Sequence, residues 1–417
     1  MSSSSRKRGA PAVPALRAFA AGGACAGAGL LAASGASAAE VYYQPVASLS
    51  SSYNSNIFLD PANKQSGEGY YADAATTIGI ATPNSVATLE PRLIYNYYPS
   101  QHELDRLEGV LNGNGQYSWQ RDRVNIVAYY DHRDDVNAEQ PGAQDNTVNP
   151  GVGTTTPSSG QVLKGVVRDY LILQPSYTHL LTPLSNITLN GEYQRLSYND
   201  EDSGHVPFDY YLGRITYNWA QTQRMGLGVN AFAANFQAAT IDAKSNTGGI
   251  GGSLKYDWTP ALSGSVTASY ERTKVEQSSH DFNETANEWA AQASLAYTGQ
   301  LATYRATIGR VIVPGASGGL FATNQLQGQY ERDLSQRLHF TGAIRYFRDG
   351  TLTGFRGDDT RNYLNTVLSL RWMMTRTLFI SGAYNFTWQK YVVDPNSANA
   401  NRVSLSIGYM GLQRQTR

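Results

Sequence analysis

The sequence predicts an all-β protein, a transmembrane antiparallel up-and-down β-barrel of about 16–18 strands. Three observations carry this: side chains alternate with period two along nearly the whole chain past Glu40, short turns alternate with long polar connections, and the composition is poor in charge but rich in tyrosine.

The alternation is clearest near the C-terminus, where Leu378, Ile380, Gly382, Tyr384, Phe386 and Trp388 share one face and Phe379, Ser381, Ala383, Asn385, Thr387 and Gln389 the other. Asn186 to Gln194, Val266 to Glu271 and Leu338 to Tyr346 repeat the pattern. Helical spacing would put charged residues on the apolar stripe, so these segments read as strands with one apolar and one polar face.

Short connections fall at Pro83-Asn84, Arg121-Asp122, Thr182-Pro183, Gln221-Thr222, Thr259-Pro260, Gly299-Gln300, Ser335-Gln336 and Thr375-Arg376. Between them lie longer polar connections: Ser55 to Glu68, Pro99 to Asp105, Arg133 to Lys164, Asn199 to Phe208, Ala238 to Lys244, Thr273 to Thr285, Pro314 to Gly319, Gly350 to Asp359 and Val393 to Asn401. Short turns on one side and long loops on the other are the pattern of a membrane barrel, with both termini on the short-turn, periplasmic side. Strands then run from near Val41 to near Met410. The chain continues through Gly411 to Arg417, where outer-membrane barrels commonly end at a terminal aromatic.

The 417 residues carry 33 Lys+Arg and 33 Asp+Glu, only 16% charged, with 28 Tyr and a mean hydropathy of −0.39. No apolar stretch of the mature chain is long enough for a membrane helix, and the aromatic content excludes disorder. A soluble sandwich would carry Lys and Glu on its polar face; here that face is mostly Ser, Thr, Asn, Gln and Gly. Aromatics gather near strand ends, as at Tyr217 to Trp219, Tyr256 to Trp258 and Tyr384 to Trp388, where headgroup girdles belong.

Residues 1–39 read as a secretory signal peptide: Arg6, Lys7, Arg8 and Arg17 precede the small apolar run Ala18 to Ala33, and Ala36-Ser37-Ala38 offers a cleavage site. The barrel then occupies 40–417. The only cysteine, Cys25, falls inside the signal; Gly22-Gly23-Ala24 before it lacks the aliphatic residue of a lipoprotein box. Without the four basic residues the mature chain holds 29 basic against 33 acidic groups, a net of −4 that excludes nucleic acid as a partner.

Tyr53-Asn54-Ser55-Asn56-Ile57-Phe58, then Pro91 in a strand ending Tyr95-Asn96-Tyr97-Tyr98, followed by Glu103-Leu104-Asp105-Arg106, resemble the opening of the β-barrel porins often encoded beside exopolysaccharide or capsule genes. The resemblance spans essentially the whole mature chain. It implies an outer-membrane barrel of a Gram-negative bacterium connected with surface polysaccharide, set in lipid and lipopolysaccharide by the barrel assembly machinery, and it brings no catalytic residues.

Followed inward, the alternation gives Glu90, Arg92, Glu192, Arg214, Lys255, Arg305, Glu331, Arg345 and Arg371 as candidate lumen-lining residues. Two readings stand: the basic excess biases a pore toward anionic solutes or acidic sugars, or the charges pair and brace the wall. The connection Arg133 to Lys164 either folds into the channel and sets its size limit or is a surface loop. Gly248-Gly249-Ile250-Gly251-Gly252 marks a bend or close packing of the wall, with no helix after it to make a phosphate loop.

An outer-membrane hydrolase is the weakest functional reading. Asp131-His132-Arg133-Asp134-Asp135 at one strand end, and Ser176 with His179 near another, offer acids and bases without a repeated catalytic set. No metal or cofactor is expected, since the six His do not cluster. A passive or export-associated pore leads, and a non-conducting structural or docking barrel of an envelope assembly is the alternative.

Overall fold

The computed structural model describes residues 39–139, 165–200, 204–277, 282–315, 317–352, 360–392 and 396–416. The signal peptide reading and most of the Arg133 to Lys164 connection fall outside these residues.

The long strands are β1 (Glu40–Asn54), β2 (Gly67–Ala81), β3 (Ser85–Tyr97), β4 (Arg106–Ser118), β5 (Asp122–Asp134), β6 (Val167–Thr182), β7 (Ser185–Tyr198), β8 (Phe208–Ala220), β9 (Met225–Ala238), β10 (Ala243–Asp257), β11 (Leu262–Gln277), β12 (Phe282–Thr298), β13 (Ala302–Gly315), β14 (Gly319–Asp333), β15 (Leu338–Thr351), β16 (Arg361–Met373), β17 (Leu378–Tyr391) and β18 (Ala398–Met410). Each pairs antiparallel with the next, and β1 closes on β18 from Val46↔Met410 to Asn54↔Arg402, making a ring of eighteen. Closure satisfies backbone groups between strands around the ring, apart from the loop-side ends of β12 and β13, where their mutual pairing stops at Ala291↔Arg310.

The chain past Met410 completes that closing seam. Gly411 donates its N–H to Pro45 O at 2.7 Å, and the short β19 (Arg414–Thr416) then pairs with Val41–Tyr43 below the point where β18 ends.

The two faces differ as the alternation requires. Leu49, Ile250, Ile308 and Leu405 stand 60–67% exposed on the outside, a surface suited to lipid rather than water. Toward the short-turn end the outer aromatics form a belt: Tyr217 stacks on Trp219, Tyr256 meets Trp258 edge-on, and Tyr297, Tyr304, Tyr330 and Phe340 follow one another at centroid distances of 4.7–5.8 Å. The inner face is tied by small polar pairs, such as Thr247 with Thr273 at 2.8 Å and Asn365 donating to Asn385 and Thr387 at 2.9 and 3.0 Å.

The short turns share a device that the sequence spells out. Thr259 Oγ1 accepts from Ala261 and Leu262 N–H, Ser335 Oγ from Arg337 and Leu338, and Thr375 Oγ1 from Thr377 and Leu378, at 2.9–3.2 Å. Each hydroxyl substitutes for the missing ladder partner at the bend. At the opposite end several expected loops shrink. Pairing continues to Ala238↔Ala243, Gln277↔Phe282 and Gly315↔Gly319, because polar strands above the apolar belt lose nothing by staying paired in water.

The run around Gly249 packs closely rather than bending freely. A Cβ at Gly249 would lie 2.3 Å from the Phe232 ring, and one at Gly251 2.7 Å from Ala268 O, whereas Gly248 faces open space.

Candidate functional site

Three elements turn inward at the loop end of the ring. The first is the connection after β1. Asn56 Nδ2 donates to Asp60 O at 2.8 Å and to Asn399 O at 3.1 Å, while Gln389 on β17 donates to Leu59 O at 3.3 Å. Leu59, in a left-handed conformation at φ 51°, is pressed against Ala398 and Ala400 on the inner face of β18. The Tyr53 to Phe58 motif thus builds a loop folded over the wall.

The second is a single helical turn, α1 (Asp135–Glu139). Its Val136 is fully buried with Ile57, Tyr71, Tyr98 and Leu104. Asp134 Oδ1 accepts the Val136 N–H at 2.9 Å, and Glu108 Oε1 accepts from Asp134 N and Asn137 Nδ2 at 3.1 and 2.7 Å. Burial, with Tyr71 beside it, pushes the Tyr98 phenol well above its ordinary pKa, so it stays a donor, here to Asn137 Oδ1 at 3.2 Å.

The third is the β13–β14 hairpin. Ile312 and Leu320 pack into a cluster with Val206, Phe208, Phe236, Ala238 and Ala243, which belongs to β8, β9, β10 and the segment before β8. At the tip, Gly318 takes φ 93° and a Cβ there would lie 2.5 Å from Ile241 Cδ1 and 3.0 Å from Val206 Cγ1. The hairpin therefore leans across the mouth. Among the described residues the mouth is occupied by the post-β1 loop, by α1, which opens the connection after Arg133, and by this hairpin; the rest of that connection lies outside the described residues.

Below these elements the polar face carries its charges in two states. Some are braced. Arg92 makes a bidentate pair with Asp73, with N···O distances of 2.7–3.1 Å, and both side chains are at most 10% exposed. Glu90 is buried next to it; Glu192 accepts from Gln174 at 3.0 Å, Glu331 from Gln329 at 2.8 Å, and Lys255 reaches Asp257 at 3.5 Å. Arg345 lies over the Phe347 ring at 5.1 Å.

Others touch no carboxylate directly, Glu271 acting on Arg214 only through space. Arg214 lies over Phe232 and Arg371 over Phe379, each at 5.1 Å, and Arg305 is exposed; none of the three makes an ion pair among the described residues. The flat face of each stacked guanidinium is occupied by the ring, which leaves its edge N–H groups for an anion. The nine residues do not converge on one point; they are distributed around the ring.

Sequence reasoning missed the strongest buried charges. Arg168 Nη2 pairs with Asp131 Oδ2 at 3.0 Å with side chains 1% and 0% exposed, and Tyr129 donates to the same oxygen at 2.8 Å. Arg361 lies over Phe347 and Tyr363 at 4.9 and 5.1 Å. Alternation places Asp131, Arg168 and Arg361 inside, but the candidate lumen residues do not extend to these loop-side strand ends.

The Asp131 to Asp135 run is divided by the wall. Asp131 points inward to Arg168, while His132 takes the other face, where its Nδ1 lies 2.9 Å from Asp169 and Tyr130 donates to the same oxygen at 2.5 Å. His179 likewise binds Asp122 at 2.7 Å, not Ser176, which alternates to the opposite face. Among the described residues no cluster of His, Cys, Asp and Glu is suited to hold a metal.

No protein-family profile matches the sequence, and no curated protein matches it. Solved structures similar to this chain include OccAB2 of Acinetobacter baumannii, with a TM-score of 0.45 and 10% identity over 90% of this chain and 98% of that one. OccAB3 of Acinetobacter baumannii gives 0.44 and 11% over 89% and 99%. OccK2 of Pseudomonas aeruginosa, in complex with glucuronate, gives 0.43 and 9% over 89% and 96%. The ring of eighteen strands rests on the pairing itself.

Proposed function

We propose that this chain is an outer-membrane channel of a Gram-negative bacterium, admitting small anionic solutes, with its short turns and termini in the periplasm. The observation that carries the reading is the set of inner-face guanidiniums, Arg214, Arg305 and Arg371, none of which makes an ion pair among the described residues of the barrel. In a narrow lumen walled by low dielectric, unpaired cations raise the local anion concentration. The resemblance at Tyr53 to Phe58 supports acidic saccharides of exported polysaccharide as the solutes.

Planar-bilayer recordings of the refolded barrel test this. The reading requires stable conductance and a reversal potential displaced toward the anion in a salt gradient; cation preference overturns it.

A second reading keeps its place because of one observation: three inward elements and an apolar cluster occupy the mouth. A non-conducting docking barrel follows if a correctly folded, heat-modifiable protein gives no conductance.

A further inference from the structure

The wall is interrupted at one seam. β12 and β13 pair from Thr298↔Thr303 to Ala291↔Arg310 and no further, although β12 stays paired with β11 up to Gln277↔Phe282 and β13 with β14 up to Gly315↔Gly319. Two intact hairpins therefore part above Arg310. The cause is the lean of the β13–β14 hairpin, which takes Ile312 and Leu320 to the inner side of β8–β10. Ile312 shares its strand face with Ile308, which stands 60% exposed outside, so one face of β13 passes from lipid to lumen within four residues.

The parting is bridged by side chains instead of a ladder. Glu288 faces inward, opposite the buried Glu271, whereas Arg310 shares the outer face of Ile308. They nevertheless meet at 2.8 Å, with Arg310 5.5 Å over the exposed Trp289 ring. The face of β13 that carries Arg310 is turning inward at this point, and the guanidinium reaches the inward carboxylate where the β12–β13 ladder has stopped.

We infer that this seam is a lateral portal through which a long-chain carboxylate passes between lumen and lipid. The head group is recognised by Arg310, which exchanges the Glu288 carboxylate for that of the ligand. The chain is accommodated by an apolar track, outward Ile308 and Trp289 leading to inward Ile312, Leu320 and Leu352 and on to the cluster around Phe208 and Phe236. The unladdered backbone of Val311 to Gly315 on the β12 side places the seam at headgroup depth, since hydrocarbon would not tolerate it. The inference rests on the channel reading, because a portal needs a lumen to open into.

The test uses octadecanoate carrying a terminal diazirine, photolysed in proteoliposomes of the full barrel, with labelled residues mapped by mass spectrometry. Labels are expected on Val311, Ile312 and Leu320 as well as on outward Ile308 and Leu326, while an octadecanol analogue labels only the outward pair. A Glu288→Cys/Val313→Cys pair, placed where the next rungs of the ladder would fall, should on oxidation reduce the inward labels to background and on reduction restore them. Arg310→Glu should abolish the preference for acid over alcohol without needing a disulfide. Inward labels absent from the unmodified barrel, or persisting when the pair is oxidised, overturn the portal. Ion conductance recorded on the same proteins reports separately on the channel: inward labels without conductance count against the channel reading alone.

Discussion

The ring of Phe232 occupies the space that a side chain at Gly249 would need: across the β9–β10 pair, a Cβ on Gly249 would lie 2.3 Å from Phe232 Cζ. Arg214 lies on the same ring from the other neighbouring strand, 5.1 Å from its centroid. The arrangement recurs where Phe379 covers Gly408 and carries Arg371. A cross-strand aromatic fills the gap left by glycine and fixes the guanidinium above it.

Gly249→Val should therefore destabilise the barrel by about 1–3 kcal/mol through overpacking against the ring. Gly248→Ala, whose Cβ meets nothing within 4 Å, should change stability by less than about 0.5 kcal/mol. Equilibrium urea unfolding in lipid bilayers compares the two; equal losses would show that the ring does not set the constraint.

Replacing Asp131 by Asn removes the buried carboxylate that Arg168 Nη2 meets at 3.0 Å and takes one negative charge from beside a buried guanidinium. The expected loss is about 3–5 kcal/mol, and the double variant Asp131→Leu/Arg168→Met should recover most of it, because a well-packed apolar pair avoids the desolvation of both ions. The same unfolding measurement decides; a single variant as stable as the parent would mean the pair is solvated.

Gly318→Val places a branched residue at φ 93° against Ile241 and Val206. The hairpin tip should leave the wall of β8–β10 and widen the mouth. Single-channel conductance should rise, and unchanged conductance would show that the tip lies off the ion path.

Neutralising the three guanidiniums that make no ion pair among the described residues, Arg214→Gln/Arg305→Gln/Arg371→Gln, should shift the reversal potential toward cations at nearly unchanged stability. Arg92→Gln should do the opposite, loosening the fold by removing the guanidinium that Asp73, 10% exposed, pairs with, while leaving selectivity close to that of the parent. Anion preference that survives the triple variant would assign selectivity to other groups.

Much of the barrel was legible because its causes are local. The face of Leu378, Ile380, Tyr384 and Phe386 needs only neighbours in sequence to be recognised, and the hydroxyls of Thr259, Ser335 and Thr375 mark their turns by bonding two and three residues ahead. The same rule gave each of the nine charges a face but no partner. Whether Arg92 braces the wall and Arg305 does not depends on Asp73, a residue on the adjacent strand whose register sequence does not state.

The sequence by itself determined an all-β chain with one lipid-suited and one polar face, and the alternation of short and long connections, since period-two patterning and turn chemistry act over a few residues. The tertiary structure alone decided that eighteen strands close, that β19 completes the closing seam, and that the β13–β14 hairpin leaves the wall at Arg310. Those outcomes depend on contacts such as Ile312 and Leu320 with Phe236, between strands far apart in the chain, where the balance of burial is set by geometry and not by neighbouring residues.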